Sequence, residues 1–380
     1  MGWVFLGKFG IIWVPIVLIL VSGHSDGCLE GERRGLLEFK DFLKSKGADA
    51  DRLLPTWVDE KPDHHSDCCD WDRVTCDRAT GHMTELSLDN IIHVPFADSR
   101  IWLINASLFL PFKELRSLNL SFNSFSGWTH NEVFERLSNL RKLEILDLGS
   151  NRFDDNNIFH SLGALTSIKT LIIGHNPLGG YFPAHELVAL TNLETLDIGF
   201  NLYHGCLPMQ GFEKLSALGK LETLNLEFNK FDDSILPSLS ALGSLKMLNL
   251  RANNIGGLFP PHELAYLRNL ERLDLSENQL NGIQGCESLL RLEKLETLYL
   301  QYNKFNNSII LCLSSLISLK NLSLRGNNLG DPFPARGMSI FMRAPKENIL
   351  SILILFISSQ ELFQCRINGD EKLGDVGFKL

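Results

Sequence analysis

The sequence predicts an α/β solenoid, an elongated coil of short parallel strands opened at its amino end by a disulfide-stapled cap. Three observations predict it. A leucine-based pattern recurs in phase along most of the 380 residues. Each copy is too short to bury its own apolar face, so the copies must stack. Four of the eight cysteines gather just ahead of the first copy. With 44% hydrophobic and 21% charged residues, the chain can bury a large core and is not a disordered composition. A formal net charge of −9 argues against binding nucleic-acid phosphates, which requires clustered Lys and Arg.

Taken in chain order, residues 1–27 read as a secretory signal peptide. Lys8 precedes an apolar run over residues 9–21 that ends in the small and polar Ser22, Gly23 and Ser25. That run is shorter than the roughly 18 residues a spanning helix needs. Export places the cysteines in an oxidising compartment, where disulfides are their default state. Residues 28–82 form the cap. Its cysteines are Cys28, Cys68, Cys69 and Cys76, and the adjacent Cys68 and Cys69 cannot comfortably bond each other. Between them, residues 32–44 place Leu36, Leu37, Phe39 and Leu43 at near-helical spacing, so a short helix buries that face, with Trp57 and Trp71 beside the cysteine pair. His64 and His65 stand near Cys68 and Cys69, but adjacent cysteines lack zinc-site spacing, and no metal or cofactor is expected.

Residues 83–337 carry the repeats. L-x-x-L-x-L-x-x-N starts at Leu115, Leu143, Ile168, Leu193, Leu221, Leu245, Leu270, Leu295 and Leu319. The closing residues form a predicted ladder of structural asparagines: Asn123, Asn151, Asn176, Asn201, Asn229, Asn253, Asn278, Asn303 and Asn327, spaced by 24 to 28 residues. A degenerate copy at residues 83–90 opens the array, with its Asn one position early. Leu-x-Leu directs two side chains to one face of a short strand and the intervening residue to the other. Every copy therefore donates leucines to one continuous core, and nine stacked strands give a sheet roughly 40 Å long. The Asn amide serves backbone groups that would otherwise be buried without partners. After the Asn, several copies continue as N-x-L-x-G-x-[IF]-P, with Gly180, Gly205 and Gly257 allowing a tight turn and Pro183, Pro208 and Pro260 enforcing extension. The copies at Asn229 and Asn303 lack this and carry Phe231-Asp232-Asp233-Ser234-Ile235 and Phe305-Asn306-Asn307-Ser308-Ile309, so two flavours partly alternate.

The G-x-[IF]-P extension on repeats of about 24 residues resembles the plant-specific class of leucine-rich repeats. The opening Cys28-Leu29-Glu30, with Glu32-Arg33 and Leu36-Leu37, then Asp67-Cys68-Cys69-Asp70-Trp71 and Val74-Thr75-Cys76, is similar to the amino-terminal cap of plant receptor-like proteins. Residues 102–112, WLINASLFLPF, are similar to one subgroup of that family. The resemblance covers about residues 1–337. It implies a right-handed leucine-rich-repeat solenoid with a parallel concave sheet, and cap disulfides Cys28–Cys68 and Cys69–Cys76. It also implies a kinase-lacking surface receptor for an extracellular peptide, microbial or damage-derived ligand, signalling through membrane receptor kinases. The rival is a secreted inhibitor or decoy similar to polygalacturonase inhibitors, or a nonfunctional receptor fragment. Residues 338–380 show neither repeat phase nor a closing cap, which reads as a truncated product or a mispredicted gene end. The apolar residues 349–357 are too few to span a bilayer and are expected to cover the last strand. Localisation follows the secretory pathway, to the cell surface if the full-length form has a membrane helix and otherwise to the apoplast.

No phosphate-loop, dinucleotide, nucleophile-elbow or kinase motif is found, and the starts at His185-Glu186 and His262-Glu263 close on Ala189 and Tyr266 where a zinc helix needs His. Binding, not catalysis, is therefore predicted, on the exposed strand positions. There Asp147, Asp197 and Asp274 recur beside Asn119, Asn225 and Asn249, and an aromatic precedes the Asn at Phe122, Phe200, Phe228 and Tyr302. The candidate contacts for a peptide, protein or glycan ligand are Phe200, Glu227, Phe228, Arg251, Arg272, Tyr299, Tyr302 and Arg325, with rings as anchors and Arg for carboxylates. Sequons at Asn105, Asn119, Asn306 and Asn321 are candidate glycan sites; those at Asn119 and Asn321 face the groove and leave the middle repeats as the contact zone. Cys286 and Cys312 stand eight and nine residues after their Asn, within reach of each other on neighbouring turns, whereas Cys206 and Cys365 have no evident partner.

Overall fold

Eleven strands form one sheet. The computed structural model describes residues 28–59, 67–92, 101–129, 136–205, 215–259 and 261–330. The predicted signal peptide, the 338–380 tail, His64, His65, Cys206 and Cys365 lie outside them. Ten strands run parallel, from Met83–Ser87 through Ser117–Asn119 to Asn321–Ser323, and the cap adds Val74–Cys76 antiparallel at the amino edge. The degenerate copy and the cap hairpin thus extend the expected nine strands by two. Register is fixed by the leucines: Leu86, Leu118, Leu146, Leu171, Leu196, Leu224, Leu248, Leu273, Leu298 and Leu322 pair in one line, each nearly inaccessible to solvent. A slip of one residue would turn every one of them outward.

The asparagines work as predicted, and in more detail. Asn229 Nδ2 donates to the carbonyls of Leu226 and Glu227 in its own repeat and of Ile198 in the preceding one, at 3.0–3.2 Å. Its Oδ1 accepts from the N–H of Tyr203, also in the preceding repeat, at 3.0 Å. The same four-way pattern recurs at Asn151, Asn176, Asn201, Asn253, Asn278, Asn303 and Asn327, and at Asn123, whose oxygen takes the N–H groups of both Ile91 and Ile92.

The residue before each of these asparagines has a positive φ, from 49° at Phe228 to 56° at His175 and Tyr302, and Gly326 takes the same slot in the last copy at 67°. Left-handed backbone costs an ordinary residue energy. Here it turns the chain inward while the N–H at the same position bonds the next repeat, as Phe228 N does to Arg251 O at 2.9 Å. Asn90, the displaced Asn of the degenerate copy, occupies this slot at φ 52°. It is a turn residue there, of a type that tolerates the left-handed region.

Beyond the ladder the two flavours diverge. Gly180, Gly205 and Gly257 all have positive φ, and the chain there forms small side sheets, pairing Gly179–Gly180 with Leu202–Tyr203 and Gly256–Phe259 with Gln279–Ile283. Copies without the motif turn directly into short helices, Leu236–Leu239 and Ile309–Leu313. The copy after Asn151 belongs with these, entering the helix Asn157–Leu162.

The cap helix, Glu30–Ser45, buries Leu36, Phe39 and Leu43, and Gly35 lets it meet Pro111, where a Cβ would lie 2.8 Å from the ring. Phe39 packs against Trp57 and Phe109, and Trp57 stacks on Trp71. Disulfides join Cys28 to Cys68 and Cys69 to Cys76 with Cα separations of 5.5 Å, matching the implied pairing, and committing both adjacent cysteines. Buried Glu32 ties cap to array, accepting from Met83 N at 2.9 Å and lying 3.1 Å from His82 Nδ1. Buried Lys40 donates to the carbonyls of Leu54 and Trp57 and pairs with Asp51 at 3.0 Å. At the other end Cys286 and Cys312 are bonded, Cα to Cα 4.9 Å, as their repeat phase allows. Among the described residues no helix is long and apolar enough to cross a membrane.

Candidate functional site

The open face of the sheet is built from three parallel rows of side chains, set by their distance ahead of each ladder Asn. Four positions before it stand Asn119, Asp147, Ile172, Asp197, Asn225, Asn249, Asp274 and Tyr299, the outward residues at the strand ends. Their polar groups are already engaged: six of them accept the backbone N–H two residues on, as Asp147 does from Gly149 at 2.8 Å and Asn249 from Arg251 at 3.1 Å. The predicted acidic and amide stripe is thus first a row of turn-forming acceptors. Burial pushes the Asp147 carboxyl up from the ordinary aspartate range; the Gly149 N–H opposes this, while the charges of Asp197 and Asp89 add to the rise.

Two positions before the Asn, the residues are Gly149, Gly174 and Gly199 in three successive copies, followed by Glu227 and Arg251. The glycines lay a smooth floor between the strand-end row and the third row. That third row is the left-handed position itself, and its side chains assemble. His175 stacks on Phe200 with centroids 3.9 Å apart, Phe200 stacks on Phe228 at 4.3 Å, and the guanidinium of Arg251 lies 5.2 Å from the Phe228 centroid. Arg251 then pairs through Nε and Nη2 with Glu277, at 3.0 and 2.6 Å. The result is a continuous column of flat groups over five copies, from His175 to Glu277, beside a glycine-floored trough.

Further along, the candidate residues form two cation–π pairs. Arg272 lies over Tyr299 at 5.0 Å and Arg325 over Tyr302 at 5.8 Å. Between the two tyrosines, Gln301 Oε1 is buried without a hydrogen-bond partner. The eight candidate residues thus fall into a central group, Phe200, Phe228 and Arg251 with Glu227 alongside, and a carboxy-proximal group, Arg272, Tyr299, Tyr302 and Arg325. Two features escape the sequence reading. His175 and Glu277 belong to the column, and the signal that finds them is their phase, not their residue type. The glycine floor is visible as the repeated Gly two residues before Asn151, Asn176 and Asn201.

The sequon asparagines differ. Asn306 and Asn321 are exposed, Asn105 and Asn119 half-buried. Asn105, Asn119 and Asn306 each accept from the N–H and hydroxyl of the serine two residues on, and Asn321 Nδ2 donates to Thr297 Oγ1 at 3.2 Å.

Residues 29–77 match the leucine rich repeat N-terminal domain, and residues 220–242 and 245–305 match leucine rich repeats. The chain is 43% identical over 157 residues to receptor-like protein 14 of Arabidopsis thaliana, covering 40% of this chain and 15% of that protein. It is 40% identical over 279 residues to receptor-like protein 13 of the same plant, covering 70% of this chain and 25% of that one. The chain therefore spans a quarter or less of the length of these curated relatives. Among solved structures, the Arabidopsis receptor kinase HAESA, determined with the peptide hormone IDA and the co-receptor SERK1, superposes with a TM-score of 0.57 at 26% identity, over 79% of this chain and 50% of that one.

Proposed function

We propose that this leucine-rich-repeat chain is the ligand-recognising portion of a plant cell-surface receptor-like protein, binding an extracellular peptide along its open sheet face and acting through partner membrane receptor kinases. The observation that carries the reading is the column of stacked rings running beside a glycine-floored trough. An extended peptide laid in the trough finds flat apolar surface on one side and acidic strand ends on the other, the arrangement of anchor and polar rim that recognition surfaces use. The carboxy-proximal pairs suit a ligand carrying carboxylates, since Arg272 and Arg325 present guanidinium groups held on tyrosine faces. Glycans on the exposed Asn306 and Asn321 would lie towards the carboxy-proximal copies and leave the central copies accessible.

The test is affinity selection of an extracellular peptide library on the secreted chain, followed by titration of the enriched peptides. Replacing Phe200 and Phe228 together by Asp is expected to weaken binding at least tenfold, and Leu311→Asp, an exposed residue on a helix away from the sheet, to leave it unchanged. The opposite ranking would place the binding surface elsewhere.

A further inference from the structure

The left-handed row contains three small residues among its rings: Ser150, Ala252 and Gly326. At two of them the molecule covers the gap with one of its own flat groups. Over Ala252, the guanidinium of Arg251 lies between Phe228 on one side and Glu277 on the other. Over Gly326, the ring of Tyr302 leans so closely that a Cβ there would lie 2.5 Å from it, and Arg325 stacks on that ring. At Ser150 the corresponding neighbour is Gly149, which has no side chain to send across.

The flanking groups at Ser150 are Phe122 and His175. Phe122, Ser150 and His175 occupy successive copies, and their N–H groups bond Gly149, Gly174 and Gly199 in one continuous register at 2.9 Å. Phe122 and His175 therefore stand two strand spacings apart, about 9–10 Å, room for one flat group at roughly 4–5 Å from each, the separation already seen between stacked members of the row. Phe122 is 64% exposed and His175 is also exposed, whereas Phe200 and Phe228, which have neighbours on both sides, are half-buried. The surroundings are acidic. Asp147 of the same copy and Asp197, two copies on, stand at strand ends and repel each other, which a cation would relieve, whereas Asp89, two residues past the strand Met83–Ser87, is already paired with Arg73 at 3.3 Å.

Resting on the concave-face reading above, we infer that the gap over Ser150 is a stacking slot for an arginine side chain of the bound peptide, the guanidinium inserting between Phe122 and His175 as Arg251 does beside Phe228. A guanidinium is flat, permanently charged and stacks on aromatic faces, and so meets both requirements of the slot. A lysine ammonium meets only the charge, and a neutral ring only the shape.

Saturation-transfer NMR on the full secreted chain tests this, with the probes N-acetyl-arginine amide, N-acetyl-lysine amide and N-acetyl-phenylalanine amide. Arginine amide is expected to bind at least fivefold tighter than the other two. Ser150→Phe closes the slot and is expected to weaken arginine binding at least tenfold; it is compatible with the backbone, because Phe122, Phe200 and Phe228 take the same positive φ. Ser150→Ala keeps the slot and should bind within twofold of the native chain. Asp147→Asn keeps the turn, as Asn119, Asn225 and Asn249 do, and should weaken binding about threefold. Equal binding of the three probes, or full arginine binding by Ser150→Phe, would overturn the inference. Arginine binding that survives Ser150→Phe and is lost in Phe228→Asp would sink the slot and leave the concave-face reading standing.

Discussion

At the residue scale, the fold depends on one amide per copy. Asn229 is 8% exposed and serves three carbonyls and one N–H, two of these four in the preceding repeat. Asn229→Ala leaves buried backbone groups without partners, and chemical denaturation is expected to show a loss of about 2–4 kcal/mol. A loss below about 0.5 kcal/mol would mean that water replaces the amide. Asp147 makes a prediction of opposite sign. Its raised carboxyl holds a proton more tightly in the folded than in the unfolded chain. Its stabilising contribution is therefore present at low pH and lost as pH rises from the unfolded value near 4 through the higher folded value. Asp147→Asn should melt above the native chain at pH 7 and with it near pH 3; a difference that persists at pH 3 would implicate the hydrogen bond to Gly149 instead of the charge.

At the scale of elements, the three disulfides close loops of different length, with sequence separations of 40 for Cys28–Cys68, 26 for Cys286–Cys312 and 7 for Cys69–Cys76. Loop-closure entropy predicts losses of about 4, 3.5 and 2.4 kcal/mol when each pair is replaced by serine. Denaturant titration of the three double variants should return that order. The strands and the ladder were legible in the sequence because each follows from a period that the chain repeats many times, whereas the cap pairing came only from the resemblance of its cysteine motif to that of a known family. The column was only half legible. Phe200 and Phe228 announce themselves, but stacking is a property of neighbours about 25 residues apart, and His175 and Glu277 join because of where the backbone puts them. The acidic and amide stripe was legible as a row of residues but not as a set of contacts: Asn119, Asp147, Asp197, Asn225, Asn249 and Asp274 each accept the N–H two residues on, whether that residue is small or, as at Glu227 and Arg251, large.

At the scale of the molecule, cap and array share one core from Leu36 to Leu324. The junction is polar as well as apolar: buried Glu32 holds Met83 N and faces His82. Glu32→Ala should cost about 2–3 kcal/mol, as expected for hydrogen bonds to a charged group. Calorimetry should then split a single transition into cap and array; one undivided transition would show that the apolar contacts alone couple them. The surface pairs along the sheet margin, Arg116–Glu144–Lys169, Lys246–Glu222 and Lys320–Glu296, are exposed and contribute little to this coupling.

The ladder also has a direction. Every Asn from Asn123 to Asn327 reaches back to groups of the copy before it, so a copy acquires its last hydrogen bonds only when its successor arrives. A ribosome delivers the copies in that same order, amino end first. Each newly emerged segment can therefore seal the one already outside the exit tunnel, and the growing chain never has more than its most recent copy waiting for an amide. Synthesis and closure proceed together, one copy out of step.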